Sequence, residues 1–158
     1  MMSECRPTIL IADDDTDILW LTAKVLRACG YTVLTAKDGE MALKTFEQAQ
    51  HPIEMIISDV MMPRMRGTQL VQAIKGLSPS TATLLMSGSW RSDVDGGVAL
   101  VRKPFTQQKF LAVVRDMLAA CDFEGIEREQ SLARSRRIKA LPDREEAQPR
   151  EPAGTNKS

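Results

Sequence analysis

Aspartates follow two apolar runs of the chain and could place several carboxylates in one site. Asp13 and Asp14 directly follow the run over residues 9–12, and Asp59 closes the segment 55–59. Carboxylates brought together repel one another, so such a site is stable chiefly when it holds a divalent cation, and Mg²⁺ takes oxygen ligands. The pattern therefore predicts a magnesium site in which one aspartate can be phosphorylated.

Short apolar runs alternate with amphipathic segments from residue 8 to about residue 120, a pattern typical of βαβ units on a parallel sheet. Runs rich in Ile, Val and Leu suit strands that are covered on both faces. The sequence therefore predicts a doubly wound α/β fold, in which ligands bind outside the carboxyl ends of the strands. The aspartates fall at that edge. The predicted strands cover residues 8–12, 31–36, 53–58, 83–87 and 98–102.

Helix signals lie between these strands. Gly30 ends the first helical pattern, Asp38 could cap the second helix, and Thr106 could cap the last. The connection over residues 89–97 departs from this rhythm, because it has little apolar periodicity and ends in two glycines. We expect the helix in this connection, the fourth in predicted order, to be shortened to about one turn. This face of the domain is expected to be mobile.

The composition limits the class of protein. At 158 residues the chain fits one domain with an appendage, and it lacks the about 20 consecutive apolar residues of a membrane-spanning helix. Its first residues lack the apolar region of a secretory signal, so we expect a cytoplasmic protein without membrane contact. The formal net charge is zero, which gives no electrostatic basis for nucleic-acid binding. Three widely spaced cysteines are predicted to be reduced, with Cys29 buried.

We predict three segments: an N-terminal extension over residues 1–7, a folded domain over residues 8–121 and a charged tail over residues 122–158. The tail cannot bury enough apolar surface to offset its ordering entropy, so we expect it to be partly helical and then disordered. Its basic cluster over residues 134–139 is flanked by acidic residues and is interpreted as a solvated charged segment. The tail is also too small for a folded DNA reader, so we expect no DNA binding.

Four short motifs at the predicted strand ends have complementary chemistry. A carboxylate can attack phosphorus, while an ammonium, a hydroxyl and Mg²⁺ can neutralise or bind the phosphoryl oxygens. In chain order the motifs are Asp13-Asp14, then Asp-Val-Met-Met-Pro-Arg-Met-Arg-Gly from Asp59 to Gly67, then Met-Ser-Gly around Ser87, and Lys103-Pro104-Phe105. Over residues 8–120 this order resembles the receiver domain of two-component response regulators. The resemblance is to receivers of the single-domain type, and it is similar to that with receivers attached to hybrid sensor kinases.

The resemblance implies a flavodoxin-like sheet of five parallel strands in the order 2-1-3-4-5. It implies that Asp59 is the phosphoacceptor. It also implies that Asp14, Asp59 and the backbone carbonyl of Met61 ligate Mg²⁺, with Asp13 acting through a metal-bound water.

The remaining motif residues receive supporting roles by the same resemblance. Ser87 and Lys103 match the hydroxyl and the lysine that contact the phosphoryl group and switch with it. Trp90, three residues beyond Ser87, is a candidate reporter of that switch. The residues that match the supporting turns are Pro63, Gly67 and Pro104, and Gly67 is expected to supply backbone angles that other residues avoid.

The resemblance further implies a phosphorelay partner, either a sensor histidine kinase or a histidine phosphotransfer protein. Output would be protein–protein contact with an unknown downstream protein, and the active form could be a homodimer. No enzymatic activity is expected beyond self-catalysed phosphotransfer and autodephosphorylation. One residue departs from the family pattern in a way that bears on signalling output. Leu100 stands where the family often has Tyr or Phe.

Other interpretations stay open on the sequence alone. A haloacid dehalogenase-like phosphatase also uses Mg²⁺ and an aspartyl phosphate, but its Asp-x-Asp-x-Thr/Val motif would have Asp17 in the Thr/Val position. A non-catalytic scaffold that acts through its tail is a third hypothesis. Asp15 could contact the metal or only cap the first helix. His51 is interpreted as a turn residue.

Overall fold

The computed structural model describes residues 6–88 and 98–120. Five parallel strands form one sheet in the order β2-β1-β3-β4-β5, so the predicted flavodoxin-like order 2-1-3-4-5 is confirmed. The strands are β1 Thr8–Ala12, β2 Thr32–Ala36, β3 Met55–Asp59, β4 Ala82–Ser87 and β5 Ala99–Arg102.

Capping side chains satisfy first-turn N–H groups at the start of three of the four described helices. The four helices are α1 Thr16–Ala28, α2 Gly39–Gln48, α3 Gly67–Leu77 and α4 over residues 107–120. As predicted, Asp38 accepts a hydrogen bond from the Met41 N–H at 2.7 Å, and Thr106 accepts one from the Lys109 N–H at 3.1 Å. The shortened helix predicted within residues 89–97 lies outside the described residues, so α4 here is the helix that follows β5.

Helices cover both faces of the sheet, which explains why the strands are continuous apolar runs. Ile9 and Ile11 of β1 belong to a core cluster that also contains side chains of α1 and α4. Leu10 and Ala12 alternate to the opposite face, where α2 and α3 complete a second cluster. The sheet is thus held between two apolar layers, which leaves its carboxyl edge to carry polar side chains.

One burial prediction is wrong. Cys29 is exposed, because it is the C-cap residue of α1 and not part of its inner face. As expected, Gly30 terminates the helix just beyond this cap, and its φ of 93° is in the left-handed region that favours glycine.

Within the described residues, no helix combines the length and apolar character needed to cross a membrane. The division into extension, domain and tail stays a prediction, since residues 1–5 and 121–158 lie outside the described part of the chain.

Candidate functional site

Three carboxylates meet at the carboxyl edge of the sheet. β1 and β3 are neighbours with Ala12 opposite Ser58, so Asp13 and Asp59 leave their strands at the same level. Single carboxylate oxygens of Asp13, Asp14 and Asp59 all lie within 4.8 Å of one another. The predicted convergence of these aspartates is therefore present, and the parallel register of the two strands is its cause.

Lys103 brings a positive charge to the same cluster from the end of β5. Its backbone N–H donates to the Ser87 carbonyl at 2.7 Å, which continues the β4–β5 pairing past the last strand residue. Its Nζ lies 2.9 Å from Oδ2 of Asp13 and 3.7 Å from Oδ2 of Asp59. The lysine is thus closer to the first-strand aspartate than to the predicted acceptor.

Asp13 is fully buried, and both of its carboxylate oxygens have protein partners. Oδ2 accepts from Lys103, and Oδ1 accepts from the Asp15 N–H at 3.0 Å. Asp14 is exposed and Asp59 is half-buried, so their carboxylates face the side from which a ligand would approach. The three aspartates are therefore not equivalent.

The pKa of Asp59 is raised above its ordinary value, chiefly because burial disfavours the charged carboxylate. Asp13 and Asp14 raise this pKa further through charge repulsion, whereas Lys103 and a hydrogen bond from the Met61 backbone N–H lower it. A cation bound beside Asp59 would lower its pKa as well. Cation binding would therefore favour the ionised form of Asp59, which is the form that acts as a nucleophile.

The residues present fit a divalent metal ion. Three carboxylates and one ammonium leave an excess of negative charge, and the side-chain donors are the hard oxygens that Mg²⁺ prefers. The acidic group is compatible with a metal site formed by Asp13, Asp14 and Asp59. Asp15 is not one of the three, and its side chain instead caps α1 by accepting from the Asp17 and Ile18 N–H groups.

The turn after Asp59 is held by close packing of Gly67. A Cβ at Gly67 would overlap the Asp59 carbonyl oxygen, so the backbone of α3 touches the backbone of the predicted acceptor. The expected reason for this glycine was wrong, because Gly30 is the glycine with positive φ among the described residues. The residue of this turn in the left-handed region is Arg64, with φ of 69°.

The other predicted site residues lie as follows. Ser87 is the buried last residue of β4, and Pro104 follows Lys103 through a cis peptide bond. Leu100 is half-buried on β5 and packs against the small cluster of Val60, Val71 and Leu85. Trp90 lies outside the described residues.

Sequence reasoning missed one ion pair beside the site. Arg64 Nη1 lies 3.5 Å from Oδ2 of Asp38, the N-cap residue of α2. Asp38 could be interpreted from sequence as a cap, but its second partner depends on how the loop after β3 packs against α2. No local pattern of residues signals that contact.

Fold and site together define a doubly wound α/β domain whose carboxyl edge carries an acidic, metal-compatible cluster with a lysine. The family described as "Response regulator receiver domain" matches residues 9–115. The chain belongs to this family.

Individual relatives agree with that assignment. The chain is 32% identical over 116 residues to "Response regulator GtcR" of Aneurinibacillus migulanus, a match that covers 70% of this chain and 47% of GtcR. It is 26% identical over 121 residues to "Sensor kinase CckA" of Brucella abortus, covering 73% of this chain and 13% of CckA. The chain thus spans about half the length of GtcR and a much smaller part of the length of CckA.

A solved receiver domain superposes on the same region. The crystal structure of the receiver domain from the hybrid histidine kinase CckA gives a TM-score of 0.62 at 32% identity, covering 70% of this chain and 98% of that one. The predicted similarity to receivers attached to hybrid sensor kinases is therefore confirmed.

Proposed function

We propose that this chain is a single-domain response regulator that accepts a phosphoryl group on Asp59 from a phosphohistidine. The donor would be a sensor histidine kinase or a histidine phosphotransfer protein. The observation that carries the proposal is the position of Asp59: its carboxylate shares a cluster with Asp13 and Asp14 while Lys103 Nζ lies 3.7 Å away. Membership of the receiver family supports the same conclusion.

The proposed metal site assigns different tasks to the three aspartates. Asp14, Asp59 and the Met61 backbone carbonyl would hold Mg²⁺, with Asp13 acting through a water. This division is supported by the contacts of Asp13, whose two oxygens already accept from Lys103 and from the Asp15 N–H. When bound, Mg²⁺ would neutralise charge on the carboxylates and on the incoming phosphoryl group.

The transfer step follows from nucleophilic attack by Asp59. Its carboxylate oxygen forms a bond to phosphorus while the bond from phosphorus to the donor imidazole nitrogen breaks, and that electron pair returns to the imidazole. Lys103 and the Ser87 hydroxyl would then bind phosphoryl oxygens. Lys103 needs only to shift from Asp13 toward a group on Asp59, because it already lies between the two carboxylates.

The proposed output is protein–protein contact by a cytoplasmic protein, with Mg²⁺ as cofactor and no turnover of a small substrate. Phosphorylation would shift a pre-existing equilibrium, drawing Ser87 toward the phosphoryl group. The downstream partner and any homodimer belong to this proposal and rest on the family alone. Nothing in the described residues favours DNA as a partner.

Labelling with acetyl phosphate tests the proposal directly. In the presence of Mg²⁺, the intact mass of the full chain should increase by one phosphoryl group, and Asp59→Asn should abolish the increase. Omitting Mg²⁺ should reduce it strongly. A wild-type protein that gains no phosphoryl group from acetyl phosphate or from any histidine kinase of its source would refute the proposal.

The same experiment distinguishes a receiver from the phosphatase alternative. Steady hydrolysis of small phosphate esters would favour a haloacid dehalogenase-like enzyme, whereas a single equivalent of label favours a receiver. The second aspartate of the phosphatase motif would be Asp15, which caps α1 and lies outside the carboxylate cluster. The position of Asp15 therefore gives the phosphatase alternative no support.

A further inference from the structure

The loop over residues 60–66, which follows the proposed acceptor, rests on the beginning of α2. A Cβ added to Gly39 would lie 2.7 Å from the Met65 carbonyl oxygen and 2.8 Å from the Met65 Cβ. Gly39 therefore allows the loop to approach α2 more closely than any side chain would permit. Beside this contact, Asp38 and Arg64 form the ion pair at 3.5 Å.

The loop is held in a strained turn at the same point. Arg64 has φ of 69°, and the Met65 N–H donates to the Pro63 carbonyl at 2.8 Å across it. A three-residue turn with positive φ at its central residue is the rarer and strained form. Such a conformation persists only when its surroundings hold it, and the contacts with Asp38 and Gly39 supply that support.

Asp38 is well placed to hold the turn. Its side chain is only 13% exposed, and Oδ1 is fixed by the hydrogen bond from the Met41 N–H, which leaves Oδ2 directed at Arg64. The Arg64 side chain is 66% exposed, so the pair is expected to add little to the free energy of folding. Its effect should be on loop geometry.

The loop connects this support to the site. Met61 lies in the same loop, and its backbone N–H donates to the Asp59 carboxylate. Gly67 closes the loop by donating to the Val60 carbonyl at 3.0 Å. A loop released from α2 would therefore change the position of the Met61 backbone relative to Asp59.

We propose that Arg64 is a positioning residue: its ion pair with Asp38 holds the strained loop so that the Met61 backbone faces Asp59 and the metal. This inference rests on the proposed function, because it concerns the affinity for Mg²⁺ and the transfer that depends on it. It also makes the start of α2 part of the support of the site.

When the Arg64 charge is removed, a purely electrostatic effect and a loss of loop support predict changes of opposite sign in the affinity for Mg²⁺. Loss of a positive charge near an acidic cluster would by itself strengthen Mg²⁺ binding. Loss of the loop support would weaken Mg²⁺ binding, by about tenfold if Arg64 acts as other outer-shell partners of metal ligands do. The direction of the change therefore identifies the cause.

The test uses five forms of the full chain: wild type, Arg64→Gly, Asp38→Asn, the double variant that combines these two substitutions, and Arg66→Ala. Glycine tolerates the left-handed conformation, and asparagine caps a helix about as well as aspartate, so both variants should fold. Arg66→Ala is the matched control, since it removes the same charge from the exposed Arg66 at the start of α3. Calorimetric titration gives the Mg²⁺ affinity, and thermal unfolding reports stability.

We expect Arg64→Gly and Asp38→Asn each to bind Mg²⁺ about tenfold more weakly, with near-wild-type unfolding temperatures, and the double variant to be no weaker than either. Arg66→Ala should bind as tightly as wild type or more tightly. Unchanged or tighter binding by Arg64→Gly, in a wild type that binds Mg²⁺ and is labelled, overturns this inference alone. A wild type that neither binds Mg²⁺ nor is labelled overturns the proposed function, and the inference with it.

Discussion

Lys103 Nζ is closer to Asp13 than to Asp59, at 2.9 Å against 3.7 Å. The ammonium therefore compensates the fully buried aspartate and leaves the half-buried one, the proposed nucleophile, less neutralised. Asp59 is also the carboxyl group whose pKa burial and its acidic neighbours raise. A cation that joins the cluster would thus act most strongly on Asp59.

Replacing Lys103 with alanine should separate stability from phosphoryl acceptance. Asp13 would be left buried without its cation, so we expect Lys103→Ala to lower the free energy of unfolding by about 3 kcal/mol. Denaturant unfolding measures this loss. Mass labelling of Asp59 should persist because the nucleophile remains, while the conformational response should weaken because its partner for the phosphoryl oxygens is gone.

Lys109→Ala is the control for Lys103→Ala. Lys109 is exposed near the start of α4, and its contribution to the cap is made by its backbone N–H. We expect this substitution to leave both unfolding and labelling close to wild type. Complete loss of labelling in Lys103→Ala would contradict the separation of roles between the lysine and Asp59.

Replacing Asp59 with asparagine should stabilise the fold at neutral pH in the absence of metal. The raised pKa means that the folded chain binds the Asp59 proton more tightly than the unfolded chain does. The stability that this carboxyl contributes is therefore present at acidic pH and is lost as the pH rises through its folded pKa. Asp59→Asn avoids that loss, so its unfolding temperature should exceed that of wild type at neutral pH.

The difference should narrow as the pH is lowered, because the wild-type Asp59 then becomes protonated. Thermal unfolding at a series of pH values from acidic to neutral measures the difference in unfolding temperature between Asp59→Asn and wild type. Asp116→Asn on the exposed face of α4 serves as a control for loss of one negative charge and should unfold close to the wild-type temperature at neutral pH. An Asp59→Asn protein that is less stable than wild type at neutral pH would mean that the burial and repulsion at Asp59 are already compensated.

The response of a tryptophan to a phosphoryl mimic tests the expected movement beyond Ser87. The chain has two tryptophans, and Trp20 is 62% exposed on α1 with Lys24 Nζ 4.8 Å from its ring centroid. The experiment therefore uses Trp20→Phe, which leaves Trp90 as the reporter. We expect its fluorescence to change when Mg²⁺ and beryllofluoride are added together, and not with either alone.

The expectation for Trp90 rests on its position three residues beyond Ser87 in the sequence. Binding of beryllofluoride must be established separately, for example by fluorine NMR. If the ligand binds and the fluorescence stays constant, the expected coupling between Ser87 and the following segment is absent.

The sheet could be predicted from sequence because strands covered on both faces form continuous apolar runs. β1 matches its predicted bounds, whereas β3 was expected from residue 53 and begins at Met55. Ile53 is buried but precedes the strand, so apolar burial alone did not mark the boundary. The burial prediction for Cys29 was wrong for a related reason. An apolar residue at the end of a helix lies where the chain leaves the core.

The candidate site could be predicted as a set of residues but not as a set of contacts. Motif order located Asp13, Asp14, Asp59 and Lys103, because parallel strands deliver their carboxyl ends to one edge. The preference of Lys103 for Asp13 depends on distances between β1 and β5 that no local pattern contains. The left-handed Arg64 had no sequence signal either, since such positions are usually marked by glycine or asparagine.

Two glycines of α3 should respond to alanine with opposite signs. At Gly67 the new Cβ would overlap the Asp59 carbonyl oxygen, so the backbone must shift. We expect Gly67→Ala to lower the free energy of unfolding by about 2 kcal/mol, as overpacking does, and to slow labelling of Asp59. At Gly76, in the same helix, a Cβ meets nothing within 4 Å, so Gly76→Ala should raise stability by about 1 kcal/mol through helix propensity.

Denaturant unfolding and the rate of acetyl phosphate labelling, measured on both variants, check this pair. Because the two substitutions are chemically identical and lie in one helix, the comparison removes the general effect of adding a methyl group to α3. What remains is the contact between Gly67 and the Asp59 backbone. Equal stability of the two variants, with equal labelling rates, would show that the backbone of the proposed acceptor Asp59 adjusts to the added methyl group without consequence for the site.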